Sequence, residues 1–369
     1  INMAGDEAQV LTETRENVTT TIVTTTTTTV TETSEEPEAA KALEETPMGN
    51  SGARPTSPVS TSQESRTDVH KLDYEKDIVY LYQFSRTPVI PSVSPFCLKV
   101  ETWLRVLGIK YENVDHKIKF RSKKGQLPFI EYNGEEIADS AIIIKELGLK
   151  FGKDLDEFLT PEQKVISHMT MAMIENHLFW CVYSQRTRNP GQFLKMSKMN
   201  IQQMIGSKIP AGLLNLFFKM KFKQGAKRVR AHGIGVHKPE EIEEFARSDL
   251  KDLSTLLGDK PFYFGEKLTL LDIVSFSFTT QIIYMDSGVP YPLREWFEEN
   301  AKNLIAHCNR IKERYYPDWD EMCKTMDLNT HIPKPKPEEN DKAKEVTEEV
   351  KEEEKSEPGA NHAEEKADE

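Results

Sequence analysis

Apolar residues in the middle of the chain follow strand and helix spacing in turn. The apolar run at residues 78–82 predicts a first strand, and a second is expected near residues 111–114. Between them, a helix that starts at Ser94 and ends at Gly108 has an apolar stripe formed by Phe96, Val100, Trp103, Leu104 and Leu107. This spacing of three and four residues is typical of an amphipathic helix.

The next segment completes a compact α/β pattern. Leu127-Pro128 precedes the apolar residues Phe129 and Ile130, and Asn133-Gly134 follows them. An Asn-Gly pair suits a two-residue hairpin, because both central positions require φ > 0. A second helix then starts at Asp139-Ser140, so the order is strand, helix, strand, hairpin, helix.

Beyond a bridging segment at about residues 153–159, the spacing predicts helices. Thr160-Pro161-Glu162-Gln163 is a capping box with proline at the first helical position, and its helix is expected to reach about Arg186. One face of that helix is predicted to hold Ile166, Met169, Met173, His177 and Trp180. Another helix starts at Thr269, where the Thr hydroxyl and the Asp272 carboxylate are expected to bond free backbone N–H groups. The remaining helices are predicted over 192–205, 210–230, 239–257, 293–299 and 301–315.

The two ends of the chain differ in composition from the middle. Residues 1–72 hold 12 acidic and 5 basic side chains, and residues 334–369 hold 14 and 7. Each end therefore carries −7, and the net charge of −12 leaves the middle at +2. Both ends have too few large apolar groups to offset the entropy of ordering, so they are predicted to be disordered. No basic stripe covers the chain, which argues against nucleic acid as a partner.

The predicted organisation has four parts: a disordered segment over 1–74, an α/β domain over 75–152, an all-helical domain over 158–325 and a disordered acidic tail over 330–369. No uncharged apolar run reaches 18 residues, so a soluble cytoplasmic protein is expected. His168 and His177 have no ligand-spaced partner, so no metal site is predicted. Reduced thiols are favoured over disulfides or a zinc site, because no CxxC pair occurs among Cys97, Cys181, Cys308 and Cys323.

Residues 94–102, 233–237 and 257–265 resemble the failed axon connections family, whose relatives include the metaxins. More broadly, residues 77–320 are similar to glutathione transferases. The resemblance implies a thioredoxin-like α/β N-terminal domain and an all-α glutathione-transferase-like C-terminal domain. It also implies an interaction role in axon development in neurons, alongside tyrosine-kinase signalling. Protein partners and a homodimer are the expected contacts, and no cofactor is required.

Five residues match the glutathione-binding positions of that superfamily. Ser94 stands where the thiol-activating residue lies at the start of the first helix. Leu127 and Pro128 match the cis-proline loop, and Asp139 with Ser140 matches the acidic-Ser pair. The resemblance implies that Ser94 is the catalytic candidate and that the other four residues bind glutathione.

Each of these positions also has a purely structural explanation. Ser94 and Asp139 are both residue types that commonly cap helix N-termini. The proline after Ser94 is common at the first position of a helix. Cys97 is a weak catalytic candidate, because a helix N-terminus lowers the pKa of a thiol. Burial in the core is the favoured interpretation of Cys97, since free cysteines are among the most buried residues.

Two departures from the glutathione transferase pattern count against glutathione binding. The loop over residues 84–94 is long and contains Pro88 and Pro91, and residues 114–127 are too few for a full second helix. The second stretch is basic, with Lys117, Lys119, Arg121, Lys123 and Lys124. These cations suit either a ligand carboxylate or, as the favoured alternative, a solvated loop.

Residues 209–230 interleave large apolar and basic side chains. A helix with Phe217 among Lys219, Lys221, Lys223 and Arg228 can lie on an anionic membrane surface, where each cation adds about 1 kcal/mol. The alternative is an ordinary helix with its apolar side chains in the core and its lysines reaching outward.

Three classes of function follow. The preferred one is a non-catalytic interaction protein of axon development. The alternatives are a glutathione-dependent transferase or detoxification enzyme, and a peripheral membrane protein that uses residues 209–230.

Overall fold

Four short strands form a mixed sheet in the computed structural model, which describes residues 69–333. Their spatial order is β2-β1-β3-β4, with bounds β1 Val79–Tyr82, β2 Tyr111–Asn113, β3 Phe129–Tyr132 and β4 Glu135–Ala138. Strand β1 runs parallel to β2 and antiparallel to β3, and β3 and β4 form an antiparallel hairpin. Helices α1 (Pro95–Leu107) and α2 (Ser140–Phe151) complete the predicted α/β order. The disorder predicted for residues 1–68 and 334–369 lies outside the described residues.

The rest of the described chain is helical. A π-helical turn at Ile174–Leu178 joins α3 to α4, and a 3-10 turn at Ile234–Val236 follows α8. The helices are α3 Pro161–Met173, α4 Phe179–Arg188, α5 Pro190–Ser197, α6 Ile201–Ile205, α7 Ala211–Lys223, α8 Gly225–His232, α9 Pro239–Leu257, α10 Leu270–Ile283, α11 Pro292–Asn300, α12 Lys302–Tyr315 and α13 Trp319–Thr325.

The backbone features predicted for the α/β part are confirmed. Asn133 and Gly134 have φ angles of 50° and 84°, as a two-residue hairpin between β3 and β4 requires. The Leu127-Pro128 peptide bond is cis. Gly108 ends α1 with a φ of 63°, a left-handed conformation that glycine adopts without steric cost.

Helix α1 is buried on more sides than its apolar stripe predicts. Val100 and Leu104 are fully buried, but so are the polar residues Glu101 and Thr102. The reason is that α1 lies between the rest of the α/β part and helix α10, so it has no solvent face over most of its length. The Thr102 hydroxyl lies 2.8 Å from the Tyr316 hydroxyl at the end of α12.

Two helices predicted as continuous are each divided in two. The helix expected over 192–205 breaks at Lys198, which has a left-handed φ of 49° and separates α5 from α6. The helix expected over 210–230 is divided at Gln224 into α7 and α8. Helix α13 was not predicted, because its seven residues are too few to show a clear apolar period.

The face predicted for the helix after Thr160 is wrong. Ile166 and Met169 are 42% and 64% exposed, whereas Ser167 is 1% exposed. A π-helical turn has more residues per turn than an α-helix, so it shifts the phase of the helix. The residues before and after Ile174–Leu178 therefore do not share one continuous face.

The segment predicted as disordered up to residue 74 is packed from Val69 onward. The backbone N–H groups of His70 and Lys71 donate to the buried Glu131 carboxylate on β3, at 2.6 and 3.0 Å. The His70 ring stacks on Phe120 at 4.2 Å between centroids. These residues and the helix-free segment after β2 cover the face of the sheet opposite α1.

The acidic tail predicted from residue 330 also starts too early. The Asn329 side chain accepts a hydrogen bond from the Asn113 N–H at 2.7 Å and donates one to the Asn113 carbonyl at 3.0 Å. The His331 ring stacks on Tyr111 at 4.1 Å. This segment therefore covers the open edge of β2, which protects an edge strand from pairing with another chain.

Candidate functional site

The three segments that match glutathione-binding positions leave the sheet at the same edge. Tyr82 at the end of β1 pairs with Phe129 at the start of β3, and Phe129 pairs with Ala138 at the end of β4. The loop to Ser94 begins after the first of these residues, Leu127-Pro128 precedes the second, and Asp139-Ser140 follows the third. The register thus brings the predicted residues together at one edge.

At this edge Ser94 serves as the N-cap of α1. Its hydroxyl accepts a hydrogen bond from the Cys97 N–H at 3.4 Å, and the side chain is half-buried. Cys97 itself is fully buried. Burial raises the pKa of the Cys97 thiol to about 11, although hydrogen bonds from its surroundings act to lower it. The thiol is therefore protonated at neutral pH and is a poor nucleophile.

Asp139 caps α2, the helix that starts at this edge. Its Oδ1 accepts hydrogen bonds from the N–H groups of Ala141 and Ile142 at 3.0 and 3.2 Å. The residue has a φ of 89°, a conformation that L-residues rarely adopt and that often occurs at functional sites. Asp139 is exposed to solvent, whereas Ser140 is 5% exposed.

The loop that precedes Ser94 is held against the helical part of the molecule. The Arg186 guanidinium on α4 donates to the Val93 carbonyl at 3.1 Å, and the Gln281 amide on α10 donates to the Ser92 carbonyl at 3.0 Å. Ser92 and Ile90 are fully buried. The long loop predicted from its prolines is thus a packed element beside Ser94.

A buried ion pair lies beneath this loop, and no sequence pattern predicted it. The Arg86 guanidinium donates two hydrogen bonds of 2.6 Å to the Glu101 carboxylate, and both side chains are fully buried. Glu101 also accepts from Gln83 at 2.8 Å and from Tyr111 at 3.0 Å. Burial acts to raise the pKa of Glu101, but Arg86, the nearby Arg105 and the hydrogen bonds outweigh it and hold that pKa far below its usual range.

Several residues of the basic segment after β2 contact the rest of the chain, among them Lys123, whose N–H donates to the Glu136 carboxylate at 2.8 Å. Lys117 lies 2.8 Å from the Asp115 carboxylate, and both side chains are largely exposed. The Lys124 ammonium donates to the Ala138 carbonyl at 3.1 Å, directly at the edge where the predicted ligand residues meet. Lys119 and Arg121 are exposed, as a solvated loop requires.

A second surface is formed by the helices α7 and α8. Phe217 is 48% exposed, and Lys219, Lys221, Lys223 and Arg228 are exposed as well. The sequence holds a signal for this surface beyond the helix itself: between residues 176 and 239 there are twelve Lys and Arg and no Asp or Glu. The helices of residues 69–333 are too short or too polar to cross a bilayer.

Three side chains with metal-binding chemistry meet beside the π-helical turn. A ring nitrogen of His177, the Cys181 Sγ and an Asp249 oxygen lie within 4.8 Å of one another. The prediction that His177 lacks a suitably placed partner is wrong, because folding brings Asp249 on α9 to 2.6 Å from its ring. The spacing of four between His177 and Cys181 was the signal available in the sequence. Burial raises the pKa of the Cys181 thiol to about 12.

An exposed apolar face lies on α2 and α3 and begins at Ile142, beside the edge described above. It contains Ile142, Leu149, Val165, Ile166 and Met169, of which Leu149 is 76% exposed and Met169 64%. A cavity of about 760 Å³ opens between the two helices. Residues of both charges line it, among them Lys145, Lys153, Asp154 and Glu157.

Two family models match the chain: Glutathione S-transferase N-terminal domain over residues 95–190, and Glutathione S-transferase, C-terminal domain over residues 246–311. Failed axon connections of Drosophila melanogaster is 56% identical over 289 residues, which cover 76% of this chain and 69% of that protein. Isoprene-epoxide--glutathione S-transferase of Rhodococcus sp. (strain AD45) is 28% identical over 238 residues, 61% of this chain and 94% of that protein. Metaxin-2 of Mus musculus is 24% identical over 252 residues, 65% of this chain and 89% of that protein.

Proposed function

The chain belongs to the failed axon connections family and has the glutathione transferase fold. We propose that it is a non-catalytic protein-interaction molecule of axon development. It works in the cytoplasm of neurons, alongside tyrosine-kinase signalling. It requires no cofactor for this role.

One observation carries the non-catalytic part of the proposal. The groups that an enzyme of this fold would use at the sheet edge are engaged in holding the chain together. The Ser94 hydroxyl and the Asp139 carboxylate accept backbone N–H groups of their own helices, and the Cys97 thiol is buried with a raised pKa. The loop before Ser94 is hydrogen-bonded to α4 and α10. The edge therefore serves as a scaffold.

The exposed face on α2 and α3 is the contact surface that this proposal assigns to a second copy of the chain. Large exposed apolar patches mark interaction sites in soluble proteins. A two-fold interface brings the same patch of both subunits together, so it favours surfaces that carry both charges. The lysines and acids around this cavity meet that requirement, because Lys145 and Lys153 of one copy can face Asp154 and Glu157 of the other.

Gene replacement in Drosophila tests the role in axons. We expect this chain to restore axon development in embryos that lack the Drosophila relative, and Ser94→Ala to restore it equally well. The double variant Leu149→Glu with Met169→Glu should lose the dimer in analytical ultracentrifugation and lose rescue, since two carboxylates would be buried in the contact. A Ser94→Ala chain that folds but fails to rescue would contradict the non-catalytic role.

A glutathione-dependent transferase is the second candidate function. The shared edge of Ser94, the cis Pro128 and Ser140 favours it, and so does the bacterial glutathione S-transferase relative. In that case Ser94 would hold the thiol of glutathione at the N-terminus of α1, where helix dipole and free N–H groups stabilise an anion. Leu127 would pair with the peptide backbone of the ligand, and Asp139 and Ser140 would hold its γ-glutamyl group.

Calorimetry with millimolar glutathione separates the two functions. We expect no saturable heat, because the Cys97 thiol is buried and the loop before Ser94 is held against α4 and α10. Saturable heat that Ser94→Ala abolishes would establish the transferase instead. Thr160→Ala is the matched control, since it removes another N-cap hydroxyl with a similar effect on its helix and lies on α3, outside the predicted binding edge.

A further inference from the structure

The outward side of α7 carries a stripe of apolar residues that the fold does not use. Leu213, Leu216, Phe217 and Met220 are spaced i, i+3, i+4 and i+7, which places them on one helix face. Their exposed fractions are 46%, 54%, 48% and 48%. The opposite side of the helix packs inward through Leu214, which is 7% exposed. Helix α7 therefore has two apolar faces, of which one is buried and the other is exposed to solvent.

Cations without acidic partners surround this stripe. Lys219, Lys221 and Lys223 lie on α7, and Lys227, Arg228 and Arg230 on α8. Within residues 69–333 none of the six takes part in an ion pair, and all are exposed. The acid-free stretch of residues 176–239 explains this, because no Asp or Glu is near in sequence. The chain as a whole carries −12, so this surface is a local reversal of its charge.

We propose that the outward face of α7, with the adjoining cations of α8, docks this protein onto membrane surfaces that contain anionic phospholipids. Helix α7 has 13 residues, so it is about 20 Å long and lies in the plane of the interface. The apolar stripe enters the boundary between headgroups and acyl chains. The cations meet the phosphate and carboxylate groups of the lipids.

Charge and chemistry together argue against two other occupants of this face, a second copy of the chain and a nucleic acid. A second copy of the same surface would bring six cations against six, which repel. A nucleic acid would match the cations but would leave four large apolar side chains against phosphates and sugars. An anionic bilayer satisfies both features, since it has charged groups at its surface and hydrocarbon directly below.

Flotation of the full chain with vesicles tests the proposal. The protein should float at low salt with vesicles of about 70% phosphatidylcholine and about 30% phosphatidylserine. It should float much less with vesicles of phosphatidylcholine alone. The triple variant Lys219→Gln, Lys221→Gln, Lys223→Gln should bind anionic vesicles about 100-fold more weakly, at about fivefold for each cation. The matched control is Lys251→Gln, Lys302→Gln, Lys324→Gln, which removes three exposed lysines elsewhere and should leave binding unchanged.

A second pair of variants separates insertion from charge attraction. Leu216→Ser with Phe217→Ser keeps every cation and should lower binding at least tenfold, because the stripe no longer enters the bilayer. The control Leu72→Ser with Phe158→Ser removes exposed apolar groups that lie outside α7, α8 and the α2–α3 face, and it should bind as the parent chain does. Equal binding to neutral and anionic vesicles, or binding that neither α7 variant changes, would overturn the proposal. Binding lost with the lysines but kept without the apolar side chains would also overturn it, in favour of a soluble polyanion.

Discussion

Arg86→Met is expected to lower the free energy of unfolding by about 3–5 kcal/mol, because it leaves the Glu101 carboxylate buried without its cation. The pair is bidentate at 2.6 Å and both side chains are fully buried. Arg86 also donates to the Leu328 carbonyl at 2.8 Å, so the substitution loosens the segment that covers the edge of β2. Denaturation with urea, followed by circular dichroism, measures the change. A loss below about 1 kcal/mol would contradict the buried ion pair.

A second substitution and a pH series identify the cause of that loss. Adding Glu101→Gln to Arg86→Met removes the stranded charge and keeps an acceptor, so the double variant should be more stable than the single one. The pKa of Glu101 is lowered in the folded protein, from a usual value of 4.5. The pair therefore stabilises the fold above about pH 4.5, and this contribution is lost as the pH falls further. The cost of Arg86→Met should accordingly shrink below that pH.

Asp272→Ala is expected to have a similar effect, a loss of about 3–5 kcal/mol, which is at the upper end for a single substitution. The predicted capping box at the start of α10 is present, and its carboxylate is fully buried. One oxygen accepts the N–H and the hydroxyl of Thr269 at 2.8 and 2.6 Å. The other accepts the Tyr263 N–H at 3.0 Å and lies 2.9 Å from the His307 ring. Alanine would leave these buried polar groups without partners, at about 1–3 kcal/mol for each unsatisfied group.

The capping box at the start of α3 provides the control for that prediction. Thr160 and Gln163 form the same kind of box, but Thr160 is exposed and water can replace its hydroxyl. Thr160→Ala should therefore cost about 1 kcal/mol. Both variants are compared by urea denaturation under one set of conditions. Equal losses in the two variants would show that burial of Asp272 does not add to the effect of the cap.

Features that depend on neighbouring residues are those that could be predicted from sequence patterns. The Asn133-Gly134 hairpin and the capping boxes at Thr160 and Thr269 follow from a few adjacent side chains, whereas the cis Leu127-Pro128 bond was implied by the resemblance to glutathione transferases. Backbone angles and N–H groups at turns and helix ends are satisfied locally, so short patterns predict them. The order of these patterns was enough to identify the fold.

The tertiary structure alone decided which polar groups are buried and which apolar groups are exposed. Arg86 and Glu101 are 15 positions apart, and Asn329 reaches Asn113 across 216 positions. No local period relates such residues, because their distance depends on how complete elements pack. The same reason explains why α1 is buried on several sides and why α7 keeps an apolar stripe in solvent. A helical period shows that a face is apolar, but only the neighbouring elements decide whether anything covers it.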